Sequence, residues 1–500
     1  MIIEGAMWRS AHVIWLIIIG LMLTGLPSKA LAQDISISEP QKISTELIGY
    51  SILGRNKNGD VLIYKKYRFR DEIDILDKNM EFKRRKEFSV KNSDYETVEF
   101  YKSGDYLFHF YTYRENKMSY LAVQQYNGDL DKKNEPVLID SSSQRLGENF
   151  SEWKIAKAKT TPYYLVYKYE LSNGRIDKLF CRVMDESTRI IQQNDINLPD
   201  DQFSPILVKE AVSDDGIPLF LFSNDDFNCK KEKTGVQYLY VFPKGNNSVV
   251  YTEISDDNYC LDEMNFGLDN AHHSIVSIGF LKEDNKDYMV GYLYSTIDIL
   301  TGTKGTNFHY IFPQQTLDEI AGLAKEKAIS NLPVYQIGTI IPRVDGGALL
   351  VAEFYDKTVE SYEFTNYDPY VGYRTSTRQV EFYEYDDILL FSIKPDGTPS
   401  WNNVIRKKQI SREDNGVNSS YGVLTLKDRC IFIFNEDVEQ NSNVLQYEMS
   451  FTGELDRKSL FNANQQEVQI RPGSAEQIAL NEIIIPSIYK KSLRFVRIKF

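Results

Sequence analysis

Histidine, tryptophan and cysteine are scarce in this chain of 500 residues, which holds five His, four Trp and four Cys. With His12 in an N-terminal leader, only His109, His272, His273 and His309 remain for acid–base or metal chemistry. Four Cys in so long a chain are not a disulfide scaffold. No Cys-x-x-Cys occurs and no His adjoins a Cys, so no zinc pattern is present. H-E-x-x-H, G-x-S-x-G, G-x-G-x-x-G and Gly-rich Lys loops are also missing. No catalytic residue, metal ligand or cofactor site is therefore assigned, and a non-catalytic role is the expectation. Basic excess is lacking too: the formal charge is −13. That balance argues against nucleic acid as a partner.

Long apolar runs are confined to the N-terminus. Residues 13–26 read VIWLIIIGLMLTGL, too short for a comfortable membrane span. Pro27 and Ala30-Leu31-Ala32 follow, with the small residues of a signal-peptide cleavage site. The reading is a signal peptide over 1–32, cut before Gln33, with a retained anchor as the alternative. It implies export to the periplasm or cell surface and no integral membrane segment after cleavage. Removing the leader makes the net charge one unit more negative, since Glu4, Arg9 and Lys29 go with it.

What is plentiful is tyrosine and phenylalanine, 33 and 27 residues, which suit half-buried pleated surfaces. Helical periodicity is almost absent, and turn dipeptides such as Asn58-Gly59, Asn127-Gly128, Asp215-Gly216, Asp345-Gly346 and Asp396-Gly397 punctuate the chain. Between them recur eight strongly apolar runs: 61–67, 106–113, 163–169, 217–223, 275–281, 348–355, 430–435 and 482–488. Each is followed by a more charged strand. The period is about 60 residues, against roughly 40–50 for a four-stranded propeller blade, with longer loops making up the excess. The expected fold is all-β: a single β-propeller of seven or eight four-stranded blades over 33–500, with tandem β-sandwiches as the alternative. An outer-membrane barrel is disfavoured because 61–70 (VLIYKKYRFR) places charge on both faces. A closed ring must cover its last edge, so Asp34–Ser38 is expected to pair as an outer strand with the final unit.

Two insertions stand out. Residues 316–329 (TLDEIAGLAKEKAI) read as a helix, with Thr316 and Glu319 as a capping box and Pro333 as the stop. Residues 356–385 read as an extended hairpin carrying Tyr362, Phe364, Tyr367, Tyr370, Tyr373, Phe382, Tyr383 and Tyr385. Propeller connectivity places both on one face, together with Cys229 and Cys260, a possible disulfide. Loops on a rigid scaffold are where binding resides, so Tyr362, Tyr367, Tyr370, Tyr373 and Arg374 are the candidate partner-binding residues. The competing view is that the tyrosines only pair across the hairpin. The acidic groups Asp71, Asp74 and Asp77, and Asp129 and Asp131, lack the Gly and terminal Glu of a calcium loop and read as solvated strand ends. Adjacent His272 and His273 point to opposite faces in a strand and do not suit one ion.

The stretches NLPVYQIGTIIPRVDGGALLVAEFY (331–355) and YDDILLFSIKPDGTPSWNNVIRKKQ (385–409), with the Tyr/Thr-rich stretch between them, resemble a group of exported, propeller-like Bacteroidota proteins of mostly unassigned function. The motifs that carry the resemblance are turns: Asp-Gly-Gly before a buried strand, and Asp-Gly before Trp401. The resemblance implies a Gram-negative envelope, a protein or polysaccharide partner there, and no transferable catalytic residues. A glycan-active hydrolase or lyase, with carboxylates or Tyr at the channel mouth, is the alternative function.

Overall fold

The computed structural model describes residues 34–89, 95–143, 151–172, 175–198, 205–224, 236–245, 249–283, 288–322, 332–333, 335–370, 372–440 and 442–500. Residues 1–33, which include the expected leader, lie outside them. The chain forms eight antiparallel sheets of at least four strands, the blades of a β-propeller. In chain order blades 1 to 7 cover 47–89, 95–143, 154–197, 205–254, 260–311, 336–412 and 422–462. Blade 8 combines 476–499 with the N-terminal strand Asp34–Ile37.

All eight apolar runs read from the sequence are second strands, one per blade. Their burial explains why they are continuously hydrophobic: each faces a neighbouring blade on both sides. In Glu482–Tyr489, Ile483 and Ile485 pack toward blade 7 while Ile484 packs toward blade 1. In Arg429–Asn435, Ile431 and Ile433 face blade 8, while Cys430, Phe432 and Phe434 face blade 6. Alternation with a period of two therefore feeds two cores at once. Eight such cores exist, one at every junction, and the core of Val61, Ile63, Ile484 and Phe495 joins blade 8 to blade 1. That last core closes the ring.

The seam is made as expected from the edge argument. Asp34–Ile37 runs antiparallel to Ser492–Lys499, with Ile35 opposite Ile498 and Ile37 opposite Val496. Ser38 continues the seam by donating its amide to the Phe495 carbonyl at 3.0 Å. Glu482 locks it: its carboxylate accepts from Arg497 Nε at 2.6 Å and from Arg55 of blade 1. In the same outer position of other blades, fourth strands such as Phe82–Ser89 (FKRRKEFS) are charged and exposed, which discourages edge-to-edge association.

The two faces of the ring differ. One carries a repeated five-residue turn, at 56–60, 77–81, 127–131, 185–189, 213–217, 343–347, 394–398 and 450–454. In each, the first amide donates to the fifth carbonyl and the fourth amide to the first carbonyl. The fourth residue takes the left-handed conformation, Gly at 59, 216, 346, 397 and 453 but Met80, Leu130 and Thr188 elsewhere. This is a type I turn with a bulge, and in six of the eight an Asn, Asp or Ser at the first position caps it, while Asp345 and Asp396 do so from the third position in the turns that begin with Arg343 and Lys394: Asn127 Oδ1 accepts from the amides of Asp129 and Asp131 at 2.9 Å. The Asn127-Gly128 dipeptide therefore works through Asn127 and Leu130, and Gly128 does not take the left-handed conformation. The opposite face carries the insertions.

The inserted helix starts earlier than the sequence pattern implied. It spans Gln314–Ala321 with Pro313 as N-cap, and Gly322 ends it in the left-handed conformation. Thr316 is buried rather than capping, and Glu319 accepts from Gln315 Nε2 and Asn402 Nδ2. Proline at the cap fixes the entry by its own backbone restriction, and no capping box forms. Residues 323–329 lie outside the described residues.

Candidate functional site

The second and third strands of blade 6 are Ala348–Asp368 and Gly372–Ile393, by far the longest strands of the fold. Their inner parts, 348–352 and 388–393, are buried between blades. Beyond Tyr355 the pairing continues without interruption from Tyr355 opposite Tyr385 to Asp368 opposite Gly372. About 3.3 Å per residue makes this a two-stranded arm reaching roughly 40 Å past the blade.

Residues directly opposite in an antiparallel pair share a face. Tyr362 opposite Arg378, Phe364 opposite Ser376 and Asn366 opposite Arg374 lie on one face of the arm. Tyr367 opposite Tyr373, Thr365 opposite Thr375 and Lys357 opposite Tyr383 lie on the other. The five candidate residues are thus divided: Tyr362 and Arg374 share one face, Tyr367 and Tyr373 the other, and Tyr370 sits at the tip. The tip is highly exposed, with Tyr370 at 96% and Tyr373 at 79% of full accessibility. Tyr367 and Tyr373 do pair, edge to face at 5.3 Å, yet both remain exposed. Cross-strand stabilisation and availability to a partner coexist.

The lower arm is braced by the blade. The short strand Gln409–Arg412 pairs with 382–385, and Arg378 reaches Glu413. At the root, Glu353 and Lys407 form a buried ion pair at 2.8 Å, and Lys407 also donates to the Tyr385 carbonyl at 2.9 Å. Burial raises the Glu353 pKa against the pull of Lys407 and Ser420, and lowers that of Lys407 against the pull of Glu353. Arg406 binds both Asp387 and, at 2.8 Å, the Glu319 carbonyl of the helix. The helix therefore props the root of the arm. Beside it Asp386 is pushed up to about 6, first by burial and then by Glu384.

The same face of the ring holds a second feature, a cavity of about 460 Å³ at the mouth of the axial channel. Its walls come from blades 1 to 4, with Lys66, Glu96, Glu99, Arg114, Lys154 and Glu210 among the lining. Bulges help to aim these groups: Val98 and Val208 are extra residues in the first strands of blades 2 and 4, just before Glu99 and Lys209. Burial raises the Glu99 pKa, and its carboxylate accepts the adjacent Phe100 amide at 3.3 Å. Behind the cavity, Tyr101 ties blade 2 to blade 3 through the Ile155 carbonyl at 2.7 Å. Across the channel, Lys157 of blade 3 is close enough to Glu476 of blade 8 to counter the raising effect of burial on that carboxyl.

Other sequence-marked groups are structural. Cys260 is disulfide-bonded and Cys181 and Cys430 are free and buried; Cys229 lies outside the described residues. Asp71 and Asp74 are not solvated ends but buried. Asp71 accepts from Tyr64 and Thr97, and Asp74 from Lys65 and Arg85. Asp77 and the 127–131 segment cap turns. His272 and His273 bond different carboxylates, Asp269 at 2.7 Å and Asp215 at 2.8 Å. Among the described residues no group of three His, Cys, Asp or Glu is placed to hold a metal ion, and no helix is long and apolar enough to cross a membrane. The cavity was not visible in the sequence, because its lining is drawn from positions 66 to 210 with no shared motif.

The fold and the insertions define the class, a propeller with an elaborated face. No family model matches the chain, and no curated protein matches it. Among solved structures it is similar to a prolyl endopeptidase at 10% identity and a TM-score of 0.38 over 91% of this chain. This chain spans 55% of that enzyme's length. It is also similar to the polysaccharide lyase Uly1, at 10% identity and a TM-score of 0.38, covering 82% of this chain and 90% of the lyase. The β-propeller domain of Vanderwaltozyma polyspora Nup133 aligns at 8% identity and a TM-score of 0.36, over 80% of this chain and all of that domain. Likenesses so remote carry nothing about what this chain binds or does.

Proposed function

We propose that the chain is a non-catalytic binding or scaffold propeller of a Gram-negative cell envelope, like the exported Bacteroidota proteins it resembles. It engages a protein or polysaccharide partner through the arm-bearing face. The observation that carries this reading is the arm itself. A two-stranded ribbon is marginal in water without something packed on it, yet this one projects Val359, Tyr362, Phe364, Tyr367 and Tyr373 into solvent. Aromatic and Arg side chains of this kind dominate binding energy at interfaces. Deleting 358–383 removes the arm and two of the four pairs made by Gln409–Arg412, and leaves the four main strands of the blade paired. Capture of the envelope partner should be lost while thermal unfolding stays cooperative, and unchanged capture would refute the role. The alternative, a glycan-active hydrolase or lyase, draws support from the carboxylates of the channel-mouth cavity. It is tested by release of reducing or unsaturated ends from envelope polysaccharide, abolished by Glu99→Gln.

A further inference from the structure

We propose that the cavity at the channel mouth is a binding site for a short, neutral saccharide, distinct from the arm. Its lining is polar but balanced in charge. Glu96, Glu99, Glu152 and Glu210 face Lys66, Arg114 and Lys154. Lys66 and Glu96 neutralise one another at 3.1 Å, and burial holds Glu99 toward its uncharged form. A strongly anionic or cationic ligand would meet like charge, and an apolar one would strip water from charged groups without replacing it.

The groups are also dispersed. No three of the carboxylates converge as a metal site would require, so the donors and acceptors suit an extended ligand with several hydroxyls. The volume lies within the range of roughly 300–1,000 Å³ typical of small-ligand pockets.

Hydrogen-bonding capacity is left over. Ser119 lines the cavity, is 1% exposed, and its hydroxyl has no partner. An orphaned buried hydroxyl costs about 1–3 kcal/mol, which a ligand hydroxyl would relieve. Glu210 lies beside the buried Tyr167 hydroxyl, whose pKa burial and then the Glu210 carboxylate raise. Aromatic stacking is not the mode of recognition. The Trp153 ring is covered by Lys168 at 4.7 Å, and its Nε1 is engaged by Asp140 at 2.9 Å.

The test uses the full mature chain and saturation-transfer NMR with cellotriose, maltotriose and N,N′,N″-triacetylchitotriose as neutral probes and trigalacturonate as the anionic one. At least one neutral probe should bind, and more tightly than trigalacturonate. Glu99→Gln combined with Glu210→Gln should weaken it about tenfold or more, the usual loss when hydrogen bonds to charged groups are removed. Ser119→Ala, a change too small to disturb the blade, should weaken it several-fold. The 358–383 deletion should leave it unchanged, so failure here is separable from failure of the arm's role. Absence of binding by all neutral probes, tighter binding of trigalacturonate, indifference to these substitutions, or loss on deleting the arm would each overturn the proposal.

Discussion

His109 offers the sharpest quantitative test of the packing. It lies between blades 1 and 2, 1% exposed, stacked on Phe100 at 4.1 Å with Thr97 Oγ1 2.9 Å from its Nε2. Burial lowers its pKa from the ordinary 6.5 to about 3. As the pH is lowered through about 6.5 the unfolded chain therefore takes up a proton that the folded chain refuses until about pH 3. A group with a depressed histidine pKa costs the fold stability as pH falls through that window, at up to about 1.4 kcal/mol per pH unit. By about pH 4.5 the loss from this one imidazole reaches roughly 3 kcal/mol. His109→Gln keeps an uncharged hydrogen-bonding group in the same place. The variant should be less stable at neutral pH, having lost the stack on Phe100, but should lose less stability on acidification. Neighbouring Asp71, raised by burial, titrates with the opposite sign but is present in both chains, so the difference between them isolates His109. Urea unfolding of both proteins at about pH 7, 5.5 and 4.5 measures it. Identical pH slopes would refute the assignment of a buried neutral imidazole.

Asp386 carries the opposite dependence. Its carboxyl titrates near 6 in the fold and one oxygen is buried without a partner, so ionisation destabilises the native state, fully above that pH and not at all below the ordinary carboxylate range. Asp386→Asn should raise the urea midpoint at about pH 8 and leave it unchanged near pH 3.5; an unchanged or lower midpoint at pH 8 contradicts the sign. The seam depends on Glu482, whose side chain is 2% exposed between Arg55 and Arg497. Glu482→Gln leaves two guanidinium groups under-compensated and should cost about 3–5 kcal/mol by denaturant unfolding, whereas a loss below about 1 kcal/mol would show that the ion pairs do not hold the ring. Removing 34–42 exposes the edge of Ser492–Lys499 and should give both a lower melting temperature and concentration-dependent association by light scattering; a monomer of unchanged stability would remove the seam from the account.

Second strands were legible because each is buried on both sides and so reads as an unbroken apolar run. First strands carry a weaker pattern, since they face a solvated channel on one side: Ile206, Val208 and Lys209 share a strand with Glu210, and the bulges at Val98, Val208 and Gly338 break the alternation. The split last blade was foreseeable from the need to cover an edge. The repeated turn was hidden behind its glycines: three of the eight place Met80, Leu130 or Thr188 in the left-handed position, held there by the capping side chain and the hairpin. The helix boundary failed because a cap-like pattern at Thr316 competes with Pro313, which sits closer to the entering strand. The arm was visible in its composition, but the division of its tyrosines between two faces follows only from register. The cavity brings together residues up to 144 positions apart (Lys66 to Glu210), and no local pattern records that.

The direct test of the arm's role is site-specific photocrosslinking in the native envelope. A photoreactive p-benzoylphenylalanine at Tyr370, at the exposed tip, should yield a discrete adduct with one envelope protein or with polysaccharide. The same group at Thr452, in a tight turn on the opposite face, should yield none. Equal adducts from both positions, or no adduct from Tyr370 in cells that produce the folded chain, would contradict the account.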